Sequence, residues 1–406
     1  MSAPDVNIER RLRALMGPDA FVESNDDGIP TVAPHTTEAC ALVVETANHE
    51  GWQVRIAGSG TWSQETGPAD LILSSSGLSE VEDVRAADLV ATVQAGVDRD
   101  TLRTALADRG TWWPVDPPGF RRTVGSVIAT ATAGPLRSGF GSIRDHILGL
   151  TVVTADGRVV HSGGRVAKNV AGFDLTKLAT GSFGAFGFIT RVHLRLRAIP
   201  RADATLVATG ERSTLVQHAQ AILEAGLTPA ALEVMSPAAC GSEGWTLGVR
   251  LIGSDPSVHA DRQALRAASP LSWSEPAASD AAEFWSTALQ HPMRHPIVIR
   301  VGAVITGLDH AIDLLAHHLD DECVAASVAV GAVRWSGTAD PSRVQLFRHT
   351  AAQVEMPVTI ERGPWSLQSE LGHFGAYREG VSRLMGSLRK TFDPNRTFVV
   401  PLGAET

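Results

Sequence analysis

Four glycine-rich stretches between residues 55 and 190 carry the residue types that hold an anionic or planar ligand through the backbone. The first is Arg55-Ile56-Ala57-Gly58-Ser59-Gly60-Thr61, directly after an apolar run. Glycine lets consecutive N–H groups converge on one anion with no Cβ in the way, and a diphosphate is the natural occupant. Taken alone, Gly-Ser-Gly is also an ordinary turn. The spacing lacks the six-residue dinucleotide fingerprint and any GKS or GKT ending, which disfavours Rossmann and P-loop sites. The second stretch is Val115-Asp116-Pro117-Pro118-Gly119, followed by Thr123-Val124-Gly125-Ser126. Its prolines force an irregular loop, and a small-residue helix running through Ala133 is expected to offer first-turn N–H donors to a phosphate. The same residues also suit plain packing of an Ala-rich helix on a sheet.

The third stretch runs from Gly134 through Gly141 to Asp145, with Arg137 and Arg144 as anion partners or surface ion pairs. The fourth begins at Lys168-Asn169-Val170-Ala171-Gly172 and continues into Gly181, Gly184, Gly187 and Ile189. Glycines there let backbone approach a flat ring. Only three lysines occur in the chain, and Lys168 and Lys177 both lie here. Lys168 is therefore a candidate cation beside a ligand, and otherwise a surface lysine. Chemistry on a small anionic molecule would further need a base and a bidentate arginine. His373 and the single tyrosine, Tyr377, are candidates for the first role. Arg250, Arg300 and Arg334, on expected strands, suit the second role or simple outward strand positions.

These stations must be positioned by alternating short elements. A helix from Ile8 to Met16 precedes a Thr-Val-Ala-Pro segment and a second helix from Thr37 to about Asn48. Strands are expected at QVRIAG, DLILSS, LVATVQAG, ILGLTVVTADGRVV and FITRVHLRLRAI. In the last of these, Thr190, Arg191, His193, Arg195 and Arg197 read as outward, and Val192, Leu194 and Leu196 as inward. Pro200 marks a boundary. Beyond it, two βαββαβ-like passes, separated by a loop from Ala268 to Ser279, imply an antiparallel sheet with helices on one face. A final helix spans Tyr377 to Lys390. The fold class is α+β, divided as an N-terminal segment 1–25, a ligand domain 26–200, a ferredoxin-like cap 201–362 and a returning C-terminal segment 363–406.

Composition bounds the function. With 35 Lys+Arg against 44 Asp+Glu the net charge is −9, so general nucleic-acid binding has no electrostatic footprint. The 44% apolar and 19% charged content is that of a globular protein. The N-terminus lacks a signal-peptide pattern and no apolar run reaches bilayer length, so a cytoplasmic location without direct membrane insertion is expected. Cys40, Cys240 and Cys323 are far apart, with no CxxC pair, and the 14 histidines are scattered. The sequence therefore points to no metal site and no iron–sulfur cluster within this chain.

The order of the four stations resembles the FAD-binding domain of the vanillyl-alcohol-oxidase, or PCMH-type, flavoprotein superfamily. The resemblance covers residues 26–200 and Phe392-Asp393-Pro394-Asn395. Within that superfamily, KNVAGFDLTKL is most similar to the E subunit of bacterial glycolate oxidase. The resemblance implies a PCMH-type domain of two α/β subdomains with Gly58, Ser59, Gly60 and Thr61 around the FAD diphosphate. It further places Thr123, Gly125 and Ser126 along the path to the flavin, Ile189 at the adenine end, and Ala57, Val124, Gly134, Gly141 and Gly187 in the walls. The first loop has no His for a covalent bond, which implies dissociable FAD. The histidine-rich metal motif and late Glu-His-Gly element of catalytic hydroxyacid dehydrogenases are not matched, and Phe183 stands where those relatives usually place Glu. The implied function is an FAD-binding subunit of a glycolate-type 2-hydroxyacid oxidase, passing electrons to catalytic flavoprotein and iron–sulfur partner subunits. Alternatives are a self-sufficient dehydrogenase of a small hydroxy acid or alcohol, or a scaffold that retains only the fold.

Overall fold

The computed structural model describes residues 5–17, 21–22, 28–62, 67–165, 174–320, 322–375 and 380–400. The helix Thr37–Glu50 buries Cys40, Val43, Val44 and Ala47, the i, i+3, i+4, i+7 stripe of an amphipathic helix. Thr36 caps its start by accepting from Ala39 N, and Gly51 ends it at φ +73°, a left-handed conformation that favours glycine. This helix covers a small sheet in which Leu71–Ser74 lies parallel to both Thr31–Val32 and Val54–Ala57.

A second, antiparallel sheet has the order Val81–Arg85, Val90–Gln94, Phe188–Arg195, Ile147–Val153, Val159–Gly163. The helices Arg99–Ala107 and Val124–Thr130 seal it, packing Leu102, Leu106, Val127 and Ile128 with Val93, Leu150, Val192 and Leu194. Thr190 corrects the expected alternation. It is fully buried and in phase with Val192 and Leu194, and its hydroxyl receives a 3.0 Å hydrogen bond from Thr37. A polar side chain at an inward position is tolerated because it is paired. The helix opened at Val124 also stops at Thr130, with Ala131 left-handed at φ +48°, rather than continuing to Ala133.

Within the segment 201–362 expected as the cap lies a seven-stranded, wholly antiparallel sheet. Its order is Ala202–Gly210, Trp245–Gly253, Ala231–Met235, Cys323–Ser327, Ala332–Gly337, Ile297–Gly302, Val358–Arg362. The helices Arg212–Glu224, Asp255–Ala268, Leu308–Leu319 and Pro341–Gln353 bury one face around Leu206, Val249, Val324, Trp335 and Phe347. The other face is not bare. The helices Pro237–Cys240 and Ala278–Gln290 pack on Ala231 and Met235, and Trp285 Nε1 donates to Thr205 Oγ1 at 2.9 Å. Cover on a single face was the expectation, and the helix Ala278–Gln290 supplies the difference.

The chain then returns to the first sheet. Val54 N donates to Thr397 O at 2.7 Å and Val399 N to Val54 O at 2.9 Å. Asp393 holds this return: its carboxylate accepts from Thr397 N at 2.7 Å and Phe398 N at 3.0 Å, and pairs with Arg389 at 3.1 Å. The side chain is fully buried, so nothing in solvent replaces these contacts. Asp393→Ala is expected to cost roughly 3 kcal/mol in denaturant unfolding. A loss within about 0.5 kcal/mol, as for a neutral surface change, would contradict this role.

Candidate functional site

Stations far apart in sequence meet at one place. Ser59 Oγ donates to Arg121 O at 2.7 Å and Thr61 Oγ1 to Phe120 O at 2.9 Å, fastening the Gly58–Thr61 loop to the Pro117–Arg122 turn. Ser74 Oγ donates to Gly58 O at 3.1 Å from the neighbouring strand. A Cβ on Gly58 would stand 2.5 Å from Thr123 Oγ1, so only glycine permits this approach. Gly60, at φ +72°, faces open space, with nothing within 4 Å of where a Cβ would lie.

The backbone donors divide unexpectedly. The first-turn donors of the helix Val124–Thr130 are already used: Val124 N by Val97 O at 2.9 Å, Gly125 N by Ala95 O at 2.7 Å, and Ser126 N by Thr123 Oγ1 at 3.3 Å. The helix start is therefore not the source of phosphate donors. By contrast, the N–H groups of Ser59, Gly60 and Thr61 donate to no group among the described residues. Three successive free donors on a glycine loop form a concavity suited to an anion.

The fourth station closes on the far end of the same helix. Gly181 N donates to Ile128 O at 3.0 Å and Phe183 N to Ala129 O at 2.7 Å. A Cβ on Gly184 would be 3.0 Å from Ile56 Cδ1, next to Ala57. On Gly187 it would strike Val152 Cγ1 at 2.2 Å, and Ile189 follows in register with Val152. Gly134 and Gly141 lie elsewhere, at the boundary with the cap. A Cβ on Gly134 would collide with Asp116 O, and Gly141 turns beside Asp145.

Arg122 was not singled out by the sequence, yet it locks the turn. Its buried guanidinium donates to Pro118 O, Ser126 Oγ and Thr130 Oγ1 and lies 4.3 Å from the Trp62 ring. The signal was weak: one arginine of an Arg-Arg pair beside a glycine turn.

Among the proton-transfer candidates, His373 is buried. Nδ1–H donates to Ile360 O at 2.8 Å, and the ring stacks on Phe183 with centroids 3.8 Å apart. Burial pushes its pKa down to about 4, so it is neutral near pH 7 and only Nε2 is left for chemistry. Lys168 and Tyr377 lie outside the described residues.

Charged side chains from both units gather where the cap meets the glycine domain. Glu361 is gripped by Arg300 at 3.0 Å and Arg334 at 2.8 Å, and Arg334 also donates to Ala133 O across the boundary at 2.9 Å. Burial alone would raise Glu361, but Arg334 and Arg300 more than offset it and hold the carboxyl below its ordinary range. Arg250 is taken by Asp203 at 2.6 Å. Arg137 is half-buried, forms no ion pair among the described residues, and feels Arg300 and Arg334; Arg144 is exposed. Burial pushes Asp116 up to about 7, against lowering by the Leu136 N–H and by Arg250. It pushes Glu233 up to about 8, against lowering by Ser327 and Arg334. Both carboxyls can exchange a proton near neutral pH.

Known proteins sharpen the picture. Residues 30–163 match the family model described as FAD binding domain. Over 249 residues the chain is 29% identical to glycolate oxidase subunit GlcD of Bacillus subtilis, covering 56% of this chain and 53% of that protein. Over 181 residues it is 35% identical to glycolate oxidase subunit GlcE of Escherichia coli, covering 44% and 49%. The chain spans about half the length of the curated relatives it matches. A structure of p-cresol methylhydroxylase with substrate bound superposes with a TM-score of 0.78 at 13% identity, covering 97% of this chain and 96% of that one. The chain is a flavoprotein with the PCMH-type fold. Its segment 30–163 matches the FAD binding domain model, and FAD is its cofactor. No helix among the described residues is long and apolar enough to cross a membrane.

The raised carboxyls make a pH prediction. Their folded pKa values of about 7 and about 8 exceed the ordinary 3.8 and 4.5, so the stability they contribute is full below the ordinary values and lost as pH rises. Thermal unfolding followed from acid to pH 9 should show this decline in the wild type. The Asp116→Asn, Glu233→Gln variant should show a flatter profile; parallel profiles would refute the buried-carboxyl assignment.

Proposed function

We propose that this chain is an FAD-dependent oxidoreductase that works as the FAD-binding subunit of a glycolate-type 2-hydroxyacid oxidase. In this reading FAD is bound without a covalent link. The free donors of Ser59, Gly60 and Thr61 receive the diphosphate, with Thr123, Val124, Gly125 and Ser126 forming the adjoining wall by shape rather than by helix-start donors. Ala57 and Gly187 let backbone approach the cofactor, Ile189 borders its adenine end, and Gly134 and Gly141 shape the wall nearest the cap. Bound FAD supplies a hydride acceptor. The protein's share is orientation, exclusion of water and management of charge.

The observation that carries the subunit reading is the grip of Arg300 and Arg334 on Glu361. The two cap arginines placed to clamp a substrate carboxylate are already engaged by the chain's own carboxylate. A catalytic flavoprotein partner would then hold the hydroxy acid, and electrons would pass on through an iron–sulfur partner. Similarity to GlcE supports the same assignment. One observation favours a self-sufficient dehydrogenase instead: Arg137 has no ion-pair partner among the described residues and adds a further positive charge to the field of Arg300 and Arg334.

Two experiments test this. Gly58→Val and Gly125→Val should lower FAD affinity by roughly tenfold or more while far-UV circular dichroism stays native. Unchanged affinity in both variants would remove the loop assignment. Glycolate or D-lactate added without oxygen to the purified, FAD-loaded chain should leave the flavin spectrum oxidised. Bleaching that disappears in Arg137→Ala would establish the self-sufficient reading.

A further inference from the structure

A group of side chains outside the cofactor site has ligating chemistry. His291 and His295 stand one turn apart, at the beginning and just past the end of the 3₁₀ turn His291–Arg294, which follows the helix Ala278–Gln290. Cys323 opens the strand Cys323–Ser327 beneath them. One ligand atom from each of the three lies within 4.8 Å of the other two. Donors around one tetrahedral first-row ion stand roughly 3.3–3.8 Å apart, given bonds of about 2.0–2.3 Å, so the three groups need close by no more than about 1–1.5 Å to share an ion.

We propose that His291, His295 and Cys323 form a binding site for a zinc-class divalent ion, with water in the fourth position. Two imidazoles and a thiolate match the borderline-soft character of zinc and exclude calcium or magnesium, which take oxygen donors. Three further features support the assignment. His291 Nδ1 is buried and has no hydrogen-bond partner, a costly state that a ligand would relieve. His295 Nδ1 lies 3.4 Å from Glu322 Oε2, the carboxylate contact that orients a ligating imidazole. Arg362 grips the turn, donating to Met293 O at 3.2 Å and His295 O at 2.6 Å, so the histidines are held before any ion arrives. Cys323 is buried, whereas the His295 side chain is 22% exposed, which gives the ion a path in. Binding releases the Cys323 thiol proton to solvent. The ion would tie the end of the helix Ala278–Gln290 to the cap sheet. That helix end already meets the glycine domain, where Gly119 N donates to Leu289 O at 2.9 Å.

The test uses the full chain with FAD bound, stripped with a chelator and titrated with zinc chloride by calorimetry. One zinc ion per chain should bind, and Cys323→Ser and His295→Ala should each weaken binding by roughly tenfold or more. Cobalt(II) in place of zinc should give an intense thiolate charge-transfer band that Cys323→Ser abolishes. His295→Ala alters a partly exposed side chain, and native circular dichroism in that variant separates ligand loss from misfolding. His317→Ala, on the distant helix Leu308–Leu319, should bind as the wild type does. Absence of saturable binding in the wild type, or equal affinity in both ligand variants, would overturn the site. Neither readout depends on flavin reduction, so failure of the proposed activity would leave this result standing.

Discussion

Two hydroxyl hydrogen bonds organise the glycine-loop end of the molecule: Ser59 to the Arg121 carbonyl and Thr61 to the Phe120 carbonyl. They tie down a glycine loop by its side chains and so leave its amides unspent. Had the backbone of residues 59–61 been used to close the turn, no donors would remain for an anion. The elements around the loop serve this arrangement. Arg122 braces the opposing turn from beneath, Gly58 permits contact with Thr123, and Asp393 returns the C-terminus to the strand that feeds the loop.

The boundary with the cap follows another rule. Fully buried carboxyls are stable there only when paired or kept protonated, because an unpaired charge in a dry interior costs roughly several kcal/mol. Glu361 meets this demand with two arginines, one of which also reaches Ala133 across the boundary. Asp116 and Glu233 meet it differently, by keeping their protons to higher pH. The same region thus combines a fixed ion-pair lock with groups free to titrate.

Much of this was legible in the sequence. Helix and strand periods marked many elements, because an amphipathic stripe or an apolar run is a local property. The strand Val81–Arg85 and the helix Arg99–Ala107 were missed, and the run ILGLTVVTADGRVV folds as two strands, Ile147–Val153 and Val159–Gly163. The glycine stations were legible because close backbone approach demands that residue. What the sequence did not reveal depends on distant partners. Thr190 looked outward because it is polar, and its bonds with Thr37 and the Thr151 carbonyl account for its burial. The start of the helix Val124–Thr130 looked open because the carbonyls of Ala95 and Val97 that fill it belong to another segment. The helix Ala278–Gln290 directly follows a Pro/Ser/Ala-rich stretch that reads as a loop, and only Trp285 along it is buried, so the sequence did not mark it as cover for the sheet. Cys323 looked solitary because its histidine neighbours stand about thirty residues earlier, and only the packing of turn on sheet unites them.

The central claim is that the free amides of Ser59, Gly60 and Thr61 receive the FAD diphosphate. Hydrogen–deuterium exchange on the FAD-free and FAD-loaded chain measures this most directly. The account predicts marked slowing at residues 59–61 on loading, with little change at Val124 and Gly125, whose amides are already bonded. Unaltered exchange at residues 59–61 would contradict it.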